Sequence, residues 1–240
     1  MDWSGDAVTS KGVSERGFEL DCDGRRVPGI VWTPEDAHSP TPVVLLGHGG
    51  GGNKRDPHLL ALARRLVRHH GIAAAAIDGP AHGDRTPTGP ELSVEERRAA
   101  MREGTVVEDT IADWKATLDA IQKLPEIGIS RVGYWGLSMG TMFGLPFVAS
   151  EPRVDTAVLG LMGVDVFGAN RLSNYAAEVR CPVLFLQQLD DALIPNEGAS
   201  ALFDAIASEE KELHANAGAH SAVPPEEFDK TEAFLAQHLR

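Results

Sequence analysis

Ser138 lies within Gly136-Leu137-Ser138-Met139-Gly140, a G-x-S-x-G pattern. A serine hydroxyl attacks a carbonyl only when a base takes its proton and a further group orients that base. Glycines on both sides let a strand turn sharply into a helix and push the serine out of the sheet edge. Three fixed positions recur by chance, so the pattern gains meaning only if a base, an acid and an anion-binding loop accompany it. His220 in Gly218-Ala219-His220 is the candidate base, with small neighbours that let an imidazole approach the serine. Asp191, in Asp190-Asp191-Ala192-Leu193-Ile194-Pro195, is the candidate acid, and Asp190 is expected to brace or cap that loop. Asp165 is a second candidate for the acid. The order serine, aspartate, histidine along the chain is that of one hydrolase architecture.

The anion-binding loop is Gly47-His48-Gly49-Gly50-Gly51-Gly52-Asn53-Lys54. Consecutive glycines allow backbone N–H groups to converge on a tetrahedral oxyanion. The N–H of Met139, directly after the nucleophile, is expected to give half of this hole, and Gly50 the other half, with Gly49 or Gly51 as the fallback. A phosphate-binding reading fails: counted from Gly47, the lysine is one place late for G-x-x-x-x-G-K-[ST], and Arg55 follows it. His48 is expected to brace the loop. Gly49, Gly51, Met162 and Phe167 are candidates for a substrate pocket, whereas Met142 and Phe143 read as core. His69 and His70 end a helix, where a positive side chain suits the dipole. His38, His58, His214 and His238 read as surface or loop residues.

These groups need elements that bring them together, and the chain alternates strand-like and helix-like segments. An N-terminal antiparallel hairpin is expected at about 17–32, turning at Asp23-Gly24. Strands are expected at 43–46, 72–77, 131–136, 156–161, 183–187 and 211–215. Helices are expected after Leu59 with Gly71 as C-cap, over Val107–Ile121, from Ser138, around 170–178, at 197–207 and from Pro225 to Leu239. Pro146 should kink or end the helix after Ser138. The segment at about 84–105, with a helix-like Val94–Met101, is long enough for a small lid and too short for a cap domain. Such alternation implies an α/β fold: a mostly parallel twisted sheet with helices on both faces and the chemistry at the strands' carboxyl ends.

The 240 residues fit one α/β domain, 1–240. The 22 basic residues against 35 acidic give −13, which argues against nucleic acid as a partner. The first residues lack a signal-peptide pattern, no apolar run reaches membrane-spanning length, and the two cysteines have no metal or redox spacing. A cytoplasmic, soluble protein without a membrane partner is the expectation. Oligomeric state is open between monomer and homodimer.

The motifs His48-Gly49-Gly50-Gly51, Gly136–Gly140, Asp191–Pro195 and Gly218–His220, with Ile77-Asp78-Gly79-Pro80-Ala81-His82-Gly83-Asp84 after the next strand, resemble the α/β-hydrolase superfamily over about 17–239. In that last stretch Pro80-Ala81 departs from the family's glycine pattern. Compact size and the missing cap resemble its dienelactone-hydrolase-like and small esterase branches. Dienelactone hydrolases use a cysteine nucleophile, and Ser138 stands in that place here. The resemblance implies a serine carboxylesterase acting on small-molecule esters through an acyl-enzyme, with no cofactor or metal. A thioesterase or small peptidase with the same triad is the alternative, as are a cofactor-free haloperoxidase-like activity and, in another class, a non-catalytic ligand-binding protein.

Overall fold

A computed structural model describes residues 1–37, 40–86, 93–100, 104–125, 127–166 and 171–240. Ten strands form one sheet: β1 (Asp2–Trp3), β2 (Val8–Ser10), β3 (Val13–Cys22), β4 (Arg25–Pro34), β5 (Val43–Gly47), β6 (Ala73–Ile77), β7 (Val132–Gly136), β8 (Val154–Gly160), β9 (Val183–Gln188) and β10 (Lys211–Asn216). The spatial order is β1-β3-β4-β6-β5-β7-β8-β9-β10, with β2 also on β3. The hairpin β3–β4 turns at Asp23 and Gly24, both at positive φ, as a two-residue turn demands. From β6 to β10 every neighbouring pair is parallel.

The helices are α1 (Pro57–His70), α2 (Val94–Ala100), α3 (Val106–Gln122), α4 (Met139–Ser150), α5 (Leu172–Ala176), α6 (Asn196–Ala205) and α7 (Pro225–His238). Alternate strand residues feed two cores, because successive side chains point to opposite faces. Leu45, Ala75, Tyr134, Leu159 and Phe185 pack with Trp114 of α3 and Phe147 of α4. Val44, Leu46, Ala76, Val158 and Leu184 pack with Leu62 and Leu66 of α1 and Leu235 of α7. Gly71 ends α1 in the left-handed conformation at φ 66, as the sequence predicts.

Two differences from the sequence reading have physical causes. Helix α4 runs four residues past Pro146 to Ser150 rather than stopping there. Phe143, Leu145, Phe147 and Val148 are all buried, so packing offsets the hydrogen bond that proline removes. The two short N-terminal strands pair with β3 and lack the alternating apolar pattern that would announce them. The helix-like stretch after residue 93 forms α2 as expected, while 87–92 and 101–103 of the expected lid lie outside the described residues.

Topology places the site. The chain leaves β5 to form β6 on one side and returns to place β7 on the other, so the sheet's switch point lies between β5 and β7. Ligands of open α/β sheets bind at such a crevice, outside the strands' carboxyl ends. Gly47 and Gly136, the last residues of these two strands, are register partners there. Strand β10 closes the far edge, pairs among the described residues with β9 alone, and has an exposed or half-buried side chain at every position.

Candidate active site

Ser138 occupies the one-residue bend between Leu137 and α4, with φ 57 and ψ −118. A non-glycine residue at such angles stores roughly 1–3 kcal/mol of strain, held only because its surroundings over-determine it. Its N–H donates to Gly160 O at 2.9 Å. Thr141 Oγ1 lies 2.7 Å from both Gly136 O and Gly160 O and accepts the Gly160 N–H. Tyr134 O–H donates to Gly140 O at 2.7 Å. The flanking glycines answer to crowding: a Cβ on Gly140 would lie 2.6 Å from Gly47 O, and one on Gly136 would lie 2.8 Å from Gly140 O.

The three residues read from the sequence as nucleophile, base and acid form one hydrogen-bonded line. Ser138 Oγ lies 2.9 Å from His220 Nε2, and His220 Nδ1 lies 2.6 Å from Asp191 Oδ2. The Asp191 side chain is 2% exposed and that of His220 is 20% exposed, so the carboxylate is sheltered while the imidazole reaches solvent. Asp191 Oδ1 accepts the N–H groups of Leu193 and Ile194, which fixes the carboxylate plane. A carboxylate at Nδ1 holds the N–H there and leaves the Nε2 lone pair facing the serine.

The loop carrying His220 is tied to the end of β9. Leu189 N–H donates to Asn216 O, Asp190 N–H to Gly218 O, and Gly218 N–H back to Asp190 Oδ2. Gln188 Nε2 donates to Ala219 O and Ala222 O. Asp190 thus braces the histidine loop. Asp165 sits apart, exposed, at φ 60, on a shallow cleft of about 540 Å³ also lined by Val164, Val166, Leu193 and Pro195.

Met139 is the first residue of α4, so its N–H has no acceptor within the helix and lies at the positive end of the dipole. Gly50 runs alongside it, since a Cβ on Gly50 would lie 3.8 Å from Met139 Cβ. Gly50 and Gly51 are exposed and Gly49 half-buried. Two histidines hold this loop. His48 Nδ1–H donates to Gly49 O at 2.8 Å, and its Nε2 accepts the Gly79 N–H at 2.8 Å. His82, 1% exposed, directs Nε2 at Gly50 O and Nδ1 at Pro80 O. Beneath them, buried Lys54 pairs with Asp78 and Asp84, while Asp78 also accepts the N–H groups of Lys54 and Asp84. The loops after β5 and β6 are therefore cross-linked.

Burial holds the His48 imidazole at about 4, against 6.5 for a free histidine. Its hydrogen bonds require the neutral ring. In the unfolded chain the ring takes up a proton as pH falls below 6.5, so this contribution is full above that value and is lost as pH falls toward about 4. The expected loss by pH 5 is about 2 kcal/mol. Urea melts between pH 7.5 and pH 5 should show that decline, and His48→Gln should flatten it by a similar amount. Equal slopes in the two proteins would remove His48 as its source.

Of the remaining pocket candidates, Met162 is 1% exposed and packed in the core beside α5 and α6. Phe167 lies outside the described residues, as does His38. Met142 and Phe143 pack with Val106, Val107 and Met139 in a small third cluster. A water-sized cavity of about 20 Å³ lies between Met139, Phe143, Trp114 and Gly79. Both cysteines are free, and burial pushes the Cys181 thiol up to about 12. His58 stacks on Phe228, while His214 and His238 pair with Glu227 and Glu210. The His82 brace and the buried Lys54 were not read from the sequence. The Asp78–Asp84 stretch was the signal that pointed toward them.

A mostly parallel sheet with Ser138 at the bend after β7, Asp191 after β9 and His220 after β10 has the α/β-hydrolase fold. The chain belongs to the dienelactone hydrolase family, whose model matches residues 27–227. A cold-adapted esterase from an Arctic intertidal metagenomic library, solved with bound PEG, is 43% identical over 100% of both chains, with a TM-score of 0.90. The acetyl xylan esterase from Paenibacillus sp. R4 is 22% identical over 98% of this chain and 88% of its own, with a TM-score of 0.74, a likeness of fold. The quorum-quenching protein AidA of Acinetobacter baumannii (strain MDR-ZJ06) is 27% identical over 134 residues, covering 56% of this chain and 40% of AidA. The match thus spans less than half of that curated relative's length. Among the described residues, no helix is long and apolar enough to cross a membrane.

Proposed function

We propose that this chain is a serine carboxylesterase acting on small-molecule esters through an acyl-enzyme. The observation that carries the reading is the line Ser138–His220–Asp191, with Ser138 held at positive φ at the sheet's switch point. Ser138 Oγ attacks the ester carbonyl while His220 Nε2 takes its proton. Asp191 stabilises the resulting imidazolium. The N–H groups of Met139 and Gly50 receive the oxyanion, and Gly49 or Gly51 is the fallback donor. The C–O bond breaks as His220 protonates the leaving alcohol. Water then attacks the acyl-enzyme, giving its proton to His220, and the acid leaves as Ser138 regains its own.

Esterase activity in a relative 43% identical along its whole length supports ester bonds over thioester or amide bonds. The cleft beside Leu193 flanks the Asp191 loop and is the surface assigned to one arm of the substrate, and Gly49 and Gly51 remain the pocket candidates on the glycine loop. Free cysteines fit a reducing compartment, so the reading includes a cytoplasmic location. One continuous sheet supports a single domain over 1–240.

A fluorophosphonate probe reacts only with an activated serine. Incubation with the purified protein should label one residue per chain, found at Ser138 by peptide mass spectrometry. No labelling, in a protein that also leaves p-nitrophenyl acetate intact, would favour a non-catalytic scaffold.

A further inference from the structure

A second constellation of chemically capable side chains joins α1 to α7. His69 and His70 end α1, and Glu232 lies in the middle of α7. His69 Nδ1 is 2.8 Å and His70 Nε2 is 3.0 Å from the same oxygen, Glu232 Oε1. The three potential ligand atoms all lie within 4.8 Å of one another. The opposite oxygen, Oε2, accepts from Arg65 Nε, and Arg65 also pairs with Asp229. The Glu232 side chain is 5% exposed, His70 is 18% exposed and His69 53% exposed, so the cluster opens to solvent on one side.

We infer that His69, His70 and Glu232 form a binding site for a divalent transition-metal ion of zinc's preferences, bridging α1 and α7. Two imidazoles and a carboxylate are the nitrogen and oxygen donors that zinc favours, and a water completes the tetrahedron. With zinc bonds of about 2.0–2.1 Å, tetrahedral ligand atoms stand roughly 3.3 Å apart, so the contacts to Glu232 need open only slightly. Each imidazole presents a different nitrogen, which is how two consecutive helical residues reach one point. Without metal each of these nitrogens carries the proton it donates to Glu232. With metal that proton sits on the other ring nitrogen, and both rings bind as neutral ligands. Arg65 on Oε2 is the outer partner that orients a ligating carboxylate and leaves Oε1 free.

The site exists only when α7 is docked on α1, so the metal binds the folded chain and stabilises it by mass action. In sequence α7 starts at Pro225, five positions after His220, so the metal anchors the helix that follows the catalytic loop. This inference stands on different atoms from the esterase reading and does not depend on it.

The test is zinc chloride titrated calorimetrically into the full chain at pH 7.5, with cobalt(II) chloride followed by visible absorption as a probe of tetrahedral geometry. One equivalent should bind, with melting temperature rising by about 5 °C in excess zinc and falling back with EDTA. His69→Ala and His70→Ala should each weaken binding at least tenfold. His220→Ala should leave it unchanged, which separates this site from the triad. His69 is exposed, so His69→Ala keeps the test informative if other variants fold poorly, and circular dichroism checks its fold. No stoichiometric binding by wild type, or binding of undiminished affinity in His69→Ala, overturns the inference. So does binding that vanishes with His220→Ala.

Discussion

Ser138→Ala should lower kcat for p-nitrophenyl acetate by roughly 10⁴- to 10⁶-fold, with KM changed only a few-fold. The size follows from what the hydroxyl alone supplies. Without Oγ there is no covalent step, and His220 has no proton to take from the protein. The oxyanion donors and the bound geometry remain, and they leave a residual rate above that in water. Alanine has a Cβ like serine, so it inherits the φ of 57 and the strain stays. Stability should therefore move by less than about 1 kcal/mol, since the bend is held through the backbone and Thr141 rather than through Oγ. Purified variant and wild type are compared by steady-state kinetics and urea denaturation. Turnover within tenfold of wild type would sink the assignment of the nucleophile.

The second large effect is expected from Asp191→Asn, with a fall of about 10⁴ in kcat. An amide has nearly the volume of the carboxylate and can still accept from the Leu193 and Ile194 N–H groups through its oxygen. That arrangement turns Nδ2 toward His220 Nδ1. Two N–H donors cannot face each other, so the imidazole proton moves to Nε2, opposite the serine. The ring then offers Ser138 a donor where it needs an acceptor, and the imidazolium loses its counter-charge. Substrate affinity should be nearly unaffected, which distinguishes a tautomer defect from collapse of the site. The measurement is kcat and KM together; a rise in KM with kcat preserved would mean that Asp191 shapes the pocket instead.

The sequence discloses part of this arrangement because several features depend on local physics. A bend without room for side chains demands glycine at 136 and 140, and strands buried on both faces demand apolar runs such as Val43–Leu46. Asp191 and His220, the candidates for acid and base, stand out because each lies just beyond a recognisable strand. Contacts between distant segments left weaker marks. Nothing local tells that Lys54 will be buried against Asp78, or that His82 will reach across to Gly50. His69 and His70 read as the end of a helix, and their meeting with Glu232 across more than 160 positions has no periodicity to announce it. Pro146 misled for a related reason: a local rule for ending helices was outweighed by burial on nearly every side of α4.

The placement of His220 has one more consequence. Its loop leaves β10, an edge strand with no fully buried side chain, whereas Ser138 rises from β7 in the middle of the sheet. Segments with few buried contacts open at free energies well below that of the whole fold. Ser138 and His220 are therefore expected to lie in regions of unequal durability. Fraying of this edge is expected to carry His220 away from Ser138 while both cores stay intact. The pairing of Ser138 with His220 thus depends on the sheet's margin as well as on its middle.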